Sequence, residues 1–118
     1  MNAALPSPGS PAYNHTMDKI AALNEILELD PGNAFARYGL AMEHVTQGKP
    51  EAALTEFAML IEQHPDYVPA YQMSAQTLIK LSRIDEARAR LDAGLAAAQR
   101  TGNAHAASEM QAMRNELG

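Results

Sequence analysis

Residues 34–65 read AFARYGLAMEHVTQGKPEAALTEFAMLIEQHP, and residues 69–100 read PAYQMSAQTLIKLSRIDEARARLDAGLAAAQR. The two stretches carry one pattern. Ala41 and Ala75 lie 34 residues apart, as do Ala53 and Ala87, and as do Pro31 and Pro65. Leu23, Phe57 and Leu91 form a series at the same spacing, and so do Leu27, Ile61 and Leu95. Gly48 corresponds to Ser82. So many coincidences in one register, each at the same point of a helix–turn–helix, make an internal repeat.

The local signals are helical from residue 16 onward. Thr16 is placed to cap a first helix, with Asp18 in its first turn, where the helix dipole favours an anion. Ile20, Leu23 and Leu27 space its apolar stripe, and Asp30-Pro31-Gly32 stops it. Asn33 caps a second helix that runs to about Gln47 before Gly48 breaks it. Pro50 opens the third, where its missing N–H costs nothing, and His64-Pro65 closes it. Asp66 is expected to cap a fourth helix that tolerates Pro69 in its first turn. Ser82-Arg83 separates it from a fifth, over about 84–100. After Thr101-Gly102-Asn103, a sixth carries a narrow seam of Ala106, Met110, Met113 and Leu117. Upstream, Pro6, Pro8 and Pro11 alternate with Ser, Gly and Ala, so residues 1–15 are expected to be a disordered Pro-rich tail. The helical domain, 16–118, then divides into a half-unit at 16–31, units at 33–65 and 66–100, and a capping helix at 103–117.

A helix–turn–helix of this period resembles the tetratricopeptide repeat (TPR) family. Leu40-Ala41 stands where that family usually has Leu-Gly, Gly48 at its inter-helix turn, and Ala53 at its small residue. Phe57 stands at its aromatic and Pro65 at its closing proline. In the second copy Tyr71, Ala75, Leu78, Ala87 and Leu91 match, while Gln99 replaces the closing proline. The resemblance covers about residues 17–100 and implies an all-α, right-handed α-solenoid of antiparallel helix pairs, about six helices in all. Arg37 and His44 depart from it, standing where the family often has a large aromatic and a tyrosine, and so does Lys19, where a small residue is usual.

The packing logic holds without the family. Ala41, Ala53, Ala75 and Ala87 let paired helices approach, and Leu40, Phe57, Leu78 and Leu91 fill the space between pairs. A single pair cannot bury its own face, so the flanking helices must cap the stack. His105, Ser108, Glu109, Gln111 and Asn115 give the sixth helix the wettable side that a cap needs.

Composition removes several function classes. The 118 residues carry 9 Lys+Arg against 14 Asp+Glu, a net charge of −5, which disfavours nucleic acid because phosphate contacts need a basic surface. With no Cys there is no disulfide, thiol chemistry or thiolate metal site, as expected in a reducing, cytoplasmic setting. No apolar run is long enough for a membrane span, and the opening MNAALPSPGSPAY lacks the basic start and apolar centre of a secretory signal. His15, His44, His64 and His105 are scattered without an i,i+4 pair, so no metal or cofactor is expected. His44 is expected to be partly buried with its nitrogens satisfied. Ser74 and Ser108 have no strand–turn–helix elbow, and no glycine-rich phosphate loop occurs; the chain does not look like an enzyme. Glu86 and Arg90 form an i,i+4 pair on the outer, solvated face of the fifth helix.

What remains is a protein-interaction module. The TPR resemblance implies that the first helix of each unit lines a concave groove for a peptide or partner helix. The residues displayed there are Phe35, Tyr38, Met42 and Val45 in one unit, and Pro69, Gln72, Gln76 and Ile79 in the next. The groove is apolar at one end and amide-rich at the other. A competing expectation has Tyr38, Met42 and Val45 packed against the half-unit before them. TPR domains that grip chaperone C-terminal carboxylates use Lys and Asn where Tyr38 and Met42 stand, so the resemblance points away from that partner. The alternatives are a homo-oligomer, such as a homodimer, joined through the half-unit end around Ile20 and Leu23, and a small-ligand or enzymatic helical domain.

Overall fold

The computed structural model describes residues 15–118, with side chains from Lys19 onward. Residues 1–14, which hold nearly all of the expected tail, lie outside the described residues. Six helices follow one another: α1 (His15–Leu29), α2 (Ala34–Thr46), α3 (Pro50–Gln63), α4 (Val68–Lys80), α5 (Ile84–Arg100) and α6 (Ala104–Glu116). No strand occurs among the described residues. Each helix packs on the next in sequence, and α4 also touches α6, which makes the molecule an all-α, TPR-like solenoid.

The turns explain why the helices stop where they do. At Gly48 the backbone enters the left-handed region (φ 72°), and the N–H groups of Gly48 and Lys49 donate back to the carbonyls of Val45 and His44. This double bond pattern closes a helix end whose carbonyls have no partner within the helix. It recurs at Ser82 (φ 58°), where Ser82 and Arg83 donate to Ile79 and Leu78, and at Gly102 (φ 68°), where Gly102 and Asn103 donate to Gln99 and Ala98. Gly48 and Ser82 therefore do the same conformational task 34 residues apart. Ser82 does it with a Cβ in the way, at a cost.

Helix starts are more varied. The Asn33 side chain accepts from the Ala36 N–H at 2.8 Å, and Asn103 caps α6 in the same way through the Ala106 N–H. Pro50 and Pro69 occupy first-turn positions of α3 and α4. Two expected caps are absent. Thr16 already has helical backbone within α1, which is described from His15. Asp66 does not cap α4: the N-cap is Tyr67, without a side-chain bond, and the Asp66 carboxylate is held instead by Arg100 at 2.9 Å. A guanidinium 34 residues away offers a charge-assisted bond that outcompetes a neutral backbone N–H.

Three linked clusters form the core. Leu27 meets Ala36 and Leu40 between α1 and α2, with Ile20 and Leu23 against them. Ala41, Ala53, Phe57, Leu60 and Ala70 join α2, α3 and α4. Val68, Tyr71, Ala75, Leu91, Ala97, Ala98, Ala106 and Met110 join α4, α5 and α6. The four alanines at the helix crossings, Ala41, Ala53, Ala75 and Ala87, are fully buried. Along α6, Ala106 and Met110 are buried and Met113 and Leu117 half-buried, while His105, Ser108, Glu109, Gln111 and Asn115 are exposed, so this helix has one packed and one wet side.

Candidate interaction surface

The side chains singled out on α2 sort by depth. Phe35 is 82% exposed, a large aromatic with no place in any core cluster. Tyr38 is half-buried, its ring 6.2 Å from Phe57 and 5.4 Å from Tyr67 in tilted arrangements. Both separations lie in the range that aromatic pairs favour. Burial, with Tyr67 adding, pushes the Tyr38 hydroxyl above its ordinary value of 10.0, so it stays a neutral donor. Met42 and Val45, half-buried, pack on the same cluster. Among the described residues Tyr38, Met42 and Val45 pack on the cluster that joins α2, α3 and α4, while the α1 stripe meets Ala36 and Leu40. Spacing alone could not choose between the two neighbours, because one helix face touches both.

On α4, Gln72, Gln76 and Ile79 are half-buried and Pro69 is exposed. The Gln72 side-chain amide donates to Glu109 of α6 at 3.5 Å, a long bond that leaves it available. Met73, adjoining Gln72, packs on the cluster that holds Tyr38 and Met42, so the α2 and α4 sites share one apolar base.

The charged residues are mostly committed to one another. Arg37, which departs from the aromatic usual at its position, is buried and bridges Glu56 at 2.7 Å and the Pro31 carbonyl at 3.0 Å. Its counterpart Tyr71 donates its hydroxyl to the Pro65 carbonyl, so both residues tie the helix to the turn before it. Lys19 pairs with Glu43 at 3.2 Å, which gives that unexpected lysine a role between α1 and α2. The expected Glu86–Arg90 contact does not form: Arg83 takes Glu86 at 2.6 Å and, with Arg90 adding at longer range, holds its carboxyl below the ordinary range. Arg83 sits at the N-cap of α5, where its guanidinium reaches the first-turn carboxylate before Arg90 can. His44 is half-buried, but its Nδ1 lacks a partner, contrary to the expectation of a satisfied histidine. His64 Nε2 lies 2.7 Å from the Gly32 carbonyl, His105 is exposed, and the His15 side chain lies outside the described residues. Among the described residues no group of three or more His, Asp or Glu is placed to hold a metal, and no helix is long and apolar enough to cross a membrane.

This helical geometry has close relatives. A tetratricopeptide repeat domain protein from Salinibacter ruber, solved by NMR, is 33% identical and superposes with a TM-score of 0.71 over 75% of this chain and 89% of that one. The TPR2B domain of yeast Sti1, in its pHsp70 complex, is 20% identical with a TM-score of 0.79 over 86% of this chain and 82% of that one, a likeness of fold. The STIP1 homolog of Dictyostelium discoideum is 32% identical over 76 residues, 64% of this chain, and the match spans only 14% of that curated relative. The family profile described as the tetratricopeptide repeat matches residues 20–74 and 44–110. These two overlapping matches together cover residues 20–110, and the chain belongs to the tetratricopeptide repeat family.

Proposed function

We propose that this chain is a non-catalytic protein-interaction module, cytoplasmic, that holds a peptide or partner helix by apolar anchors against the displayed faces of α2 and α4. The observation that carries this is Phe35. A phenylalanine at 82% exposure contributes nothing to the core, yet it sits on the same helix face as Tyr38 and Met42. An exposed phenylalanine followed three and seven residues on by a half-buried tyrosine and methionine suits the anchors of a helix-in-groove partner. Gln72, Gln76 and Ile79 continue the surface on α4 with amides for the partner's backbone. The fold it shares with the Sti1 domain in its pHsp70 complex supports a peptide ligand. Tyr38 and Met42, standing where chaperone-tail binders carry Lys and Asn, argue for an apolar ligand instead of an acidic tail.

Peptides selected from a random display library on the full chain provide the test. Hydrogen exchange with the best peptide bound should protect α2 and α4. Protection confined to α1 or α5 would overturn the assignment of the face.

A second function, homo-oligomerisation through α1, is favoured by Ile26 and by Leu29, which is 90% exposed. Sedimentation equilibrium at rising concentration tests it: a dimer abolished by Leu29→Ser supports it, and a monomer throughout excludes it.

A further inference from the structure

A groove of about 540 Å3 opens between α3 and α5 over α4, away from the residues proposed to hold a peptide. Leu54 and Ala58 of α3, Leu78 of α4 and Ala89 of α5 give it an aliphatic side, and Glu51, Thr55, Ser74, Arg83, Glu86 and Arg90 line the rest. Its origin lies in the repeat. Ser74 occupies the position that Leu40 holds one unit earlier, where Leu40 is buried against Leu27 and Ala36. The equivalent space beside Leu40 is smaller, about 370 Å3, and the Arg37–Glu56 ion pair borders it. In the second unit a leucine's volume is missing and the ion pair is gone, because Tyr71 stands for Arg37 and Arg90 for Glu56.

Two side chains in this groove are left unfinished. Ser74 is 1% exposed, yet its Oγ has no hydrogen-bond partner. Buried hydroxyls are ordinarily paired. Arg90 is half-buried and, among the described residues, the one arginine without an ion pair: Arg37, Arg83, Arg88, Arg100 and Arg114 each hold a carboxylate. Of the acidic residues in the lining, Glu86 feels the Arg90 charge but makes no contact with it. Glu51 and Glu86 are both taken by Arg83, at 2.6 Å each.

We propose that the groove between α3 and α5 binds a small branched aliphatic carboxylate. The aliphatic body takes the volume of the absent leucine against Leu54, Ala58 and Leu78, the carboxylate pairs with Arg90, and the Ser74 hydroxyl gains a partner. The chemistry matches the vacancy on both counts: one leucine side chain too few, and one guanidinium with no carboxylate in contact. This inference does not rest on the peptide-binding face, since no residue is shared between the two.

Titration of the full chain with 4-methylpentanoate, followed by amide NMR, tests it. Saturable shifts are expected at Leu54, Ala58, Ser74, Leu78 and Arg90. Arg90→Gln and the uncharged analogue 4-methylpentan-1-ol should each weaken binding at least about tenfold, the loss of one charge-assisted contact. Ser74→Leu should fill the groove, abolish binding and raise Tm without ligand. Shifts that never saturate, that acetate reproduces, or that persist unchanged in Arg90→Gln would overturn the proposal. Arg90→Gln alters a side chain outside the core clusters, so the test stands even if Ser74→Leu fails to fold.

Discussion

The two repeat units share a backbone and differ in how they are filled. Both bury an alanine at each helix crossing, both end their first helix in a left-handed residue, and both tie that helix to a proline carbonyl. In the first unit the tie is the Arg37 guanidinium, which also binds Glu56, with Leu40 and Leu60 buried nearby in the stack. In the second the tie is a neutral Tyr71 hydroxyl, and the positions of Leu40, Glu56 and Leu60 hold Ser74, Arg90 and Gly94. Gly94 is needed there: a Cβ would come within 2.7 Å of the Tyr71 Cβ and 2.6 Å of the Met110 Sδ. The larger side chain at one position is offset by the smaller one at another. The period is thus set by the alanines and the turns, and the large side chains are free to vary so long as neighbours compensate. Ser74 and Arg90 are left without such a neighbour: the Ser74 hydroxyl has no partner and Arg90 no carboxylate in contact.

The sharpest way to break this comparison is to remove the first unit's ion pair. Arg37→Ala leaves Glu56, whose side chain is 19% exposed, without its partner, and should cost about 3 kcal/mol in denaturant unfolding. Tyr71→Phe, which deletes only a neutral hydrogen bond at the matching place, should cost about 1 kcal/mol. Equal losses would mean that the two ties are interchangeable. Next in size, Ala53→Leu and Ala87→Leu should each destabilise by about 1–3 kcal/mol through overpacking, since both alanines are fully buried. Melting points unchanged in both variants would refute the crossing assignment. Ser82→Gly should stabilise by about 1 kcal/mol, because glycine adopts φ 58° without the Cβ penalty. No gain would show that Ser82 and Gly48 are not equivalent stops. The smallest effect concerns pH. The folded Tyr38 hydroxyl titrates above 10.0, so the unfolded chain releases that proton first. The associated stability is complete below pH 10 and is lost as pH rises through the folded value. Phenolate absorbance of Tyr38→Phe should lack one late-titrating tyrosine.

Much of this was legible before any coordinates. The period, the Asn33 cap, Pro50 and Pro69 in their first turns, and the Gly48–Ser82 stops all follow from local chemistry, which acts within a few residues. The errors came from competition across the fold. Asp66 abandons its cap for Arg100, and Glu86 prefers Arg83 to Arg90, because the better partner becomes adjacent only when helices stack. Met42 and Val45 face the next unit, which a single helical stripe cannot reveal. The groove between α3 and α5 leaves a signal only when the repeats are laid on one another, where Ser74 falls on Leu40 and Arg90 on Glu56. Gly94 is not legible that way, since its role depends on Tyr71 and Met110 arriving from two other helices.

The proposed peptide face stands or falls on Phe35, because Tyr38 also supports Phe57 and its truncation would confound binding with folding. The direct measurement is the affinity of the best display-selected peptide for Phe35→Ala by isothermal titration calorimetry, with helical content followed by circular dichroism. Truncating a central aromatic anchor commonly costs about 2 kcal/mol or more, so binding should weaken at least about tenfold while the circular dichroism spectrum is unchanged. Arg90→Ala, in the other groove, should leave that affinity as it was. Undiminished binding to Phe35→Ala would contradict the account and move the partner off the face of α2.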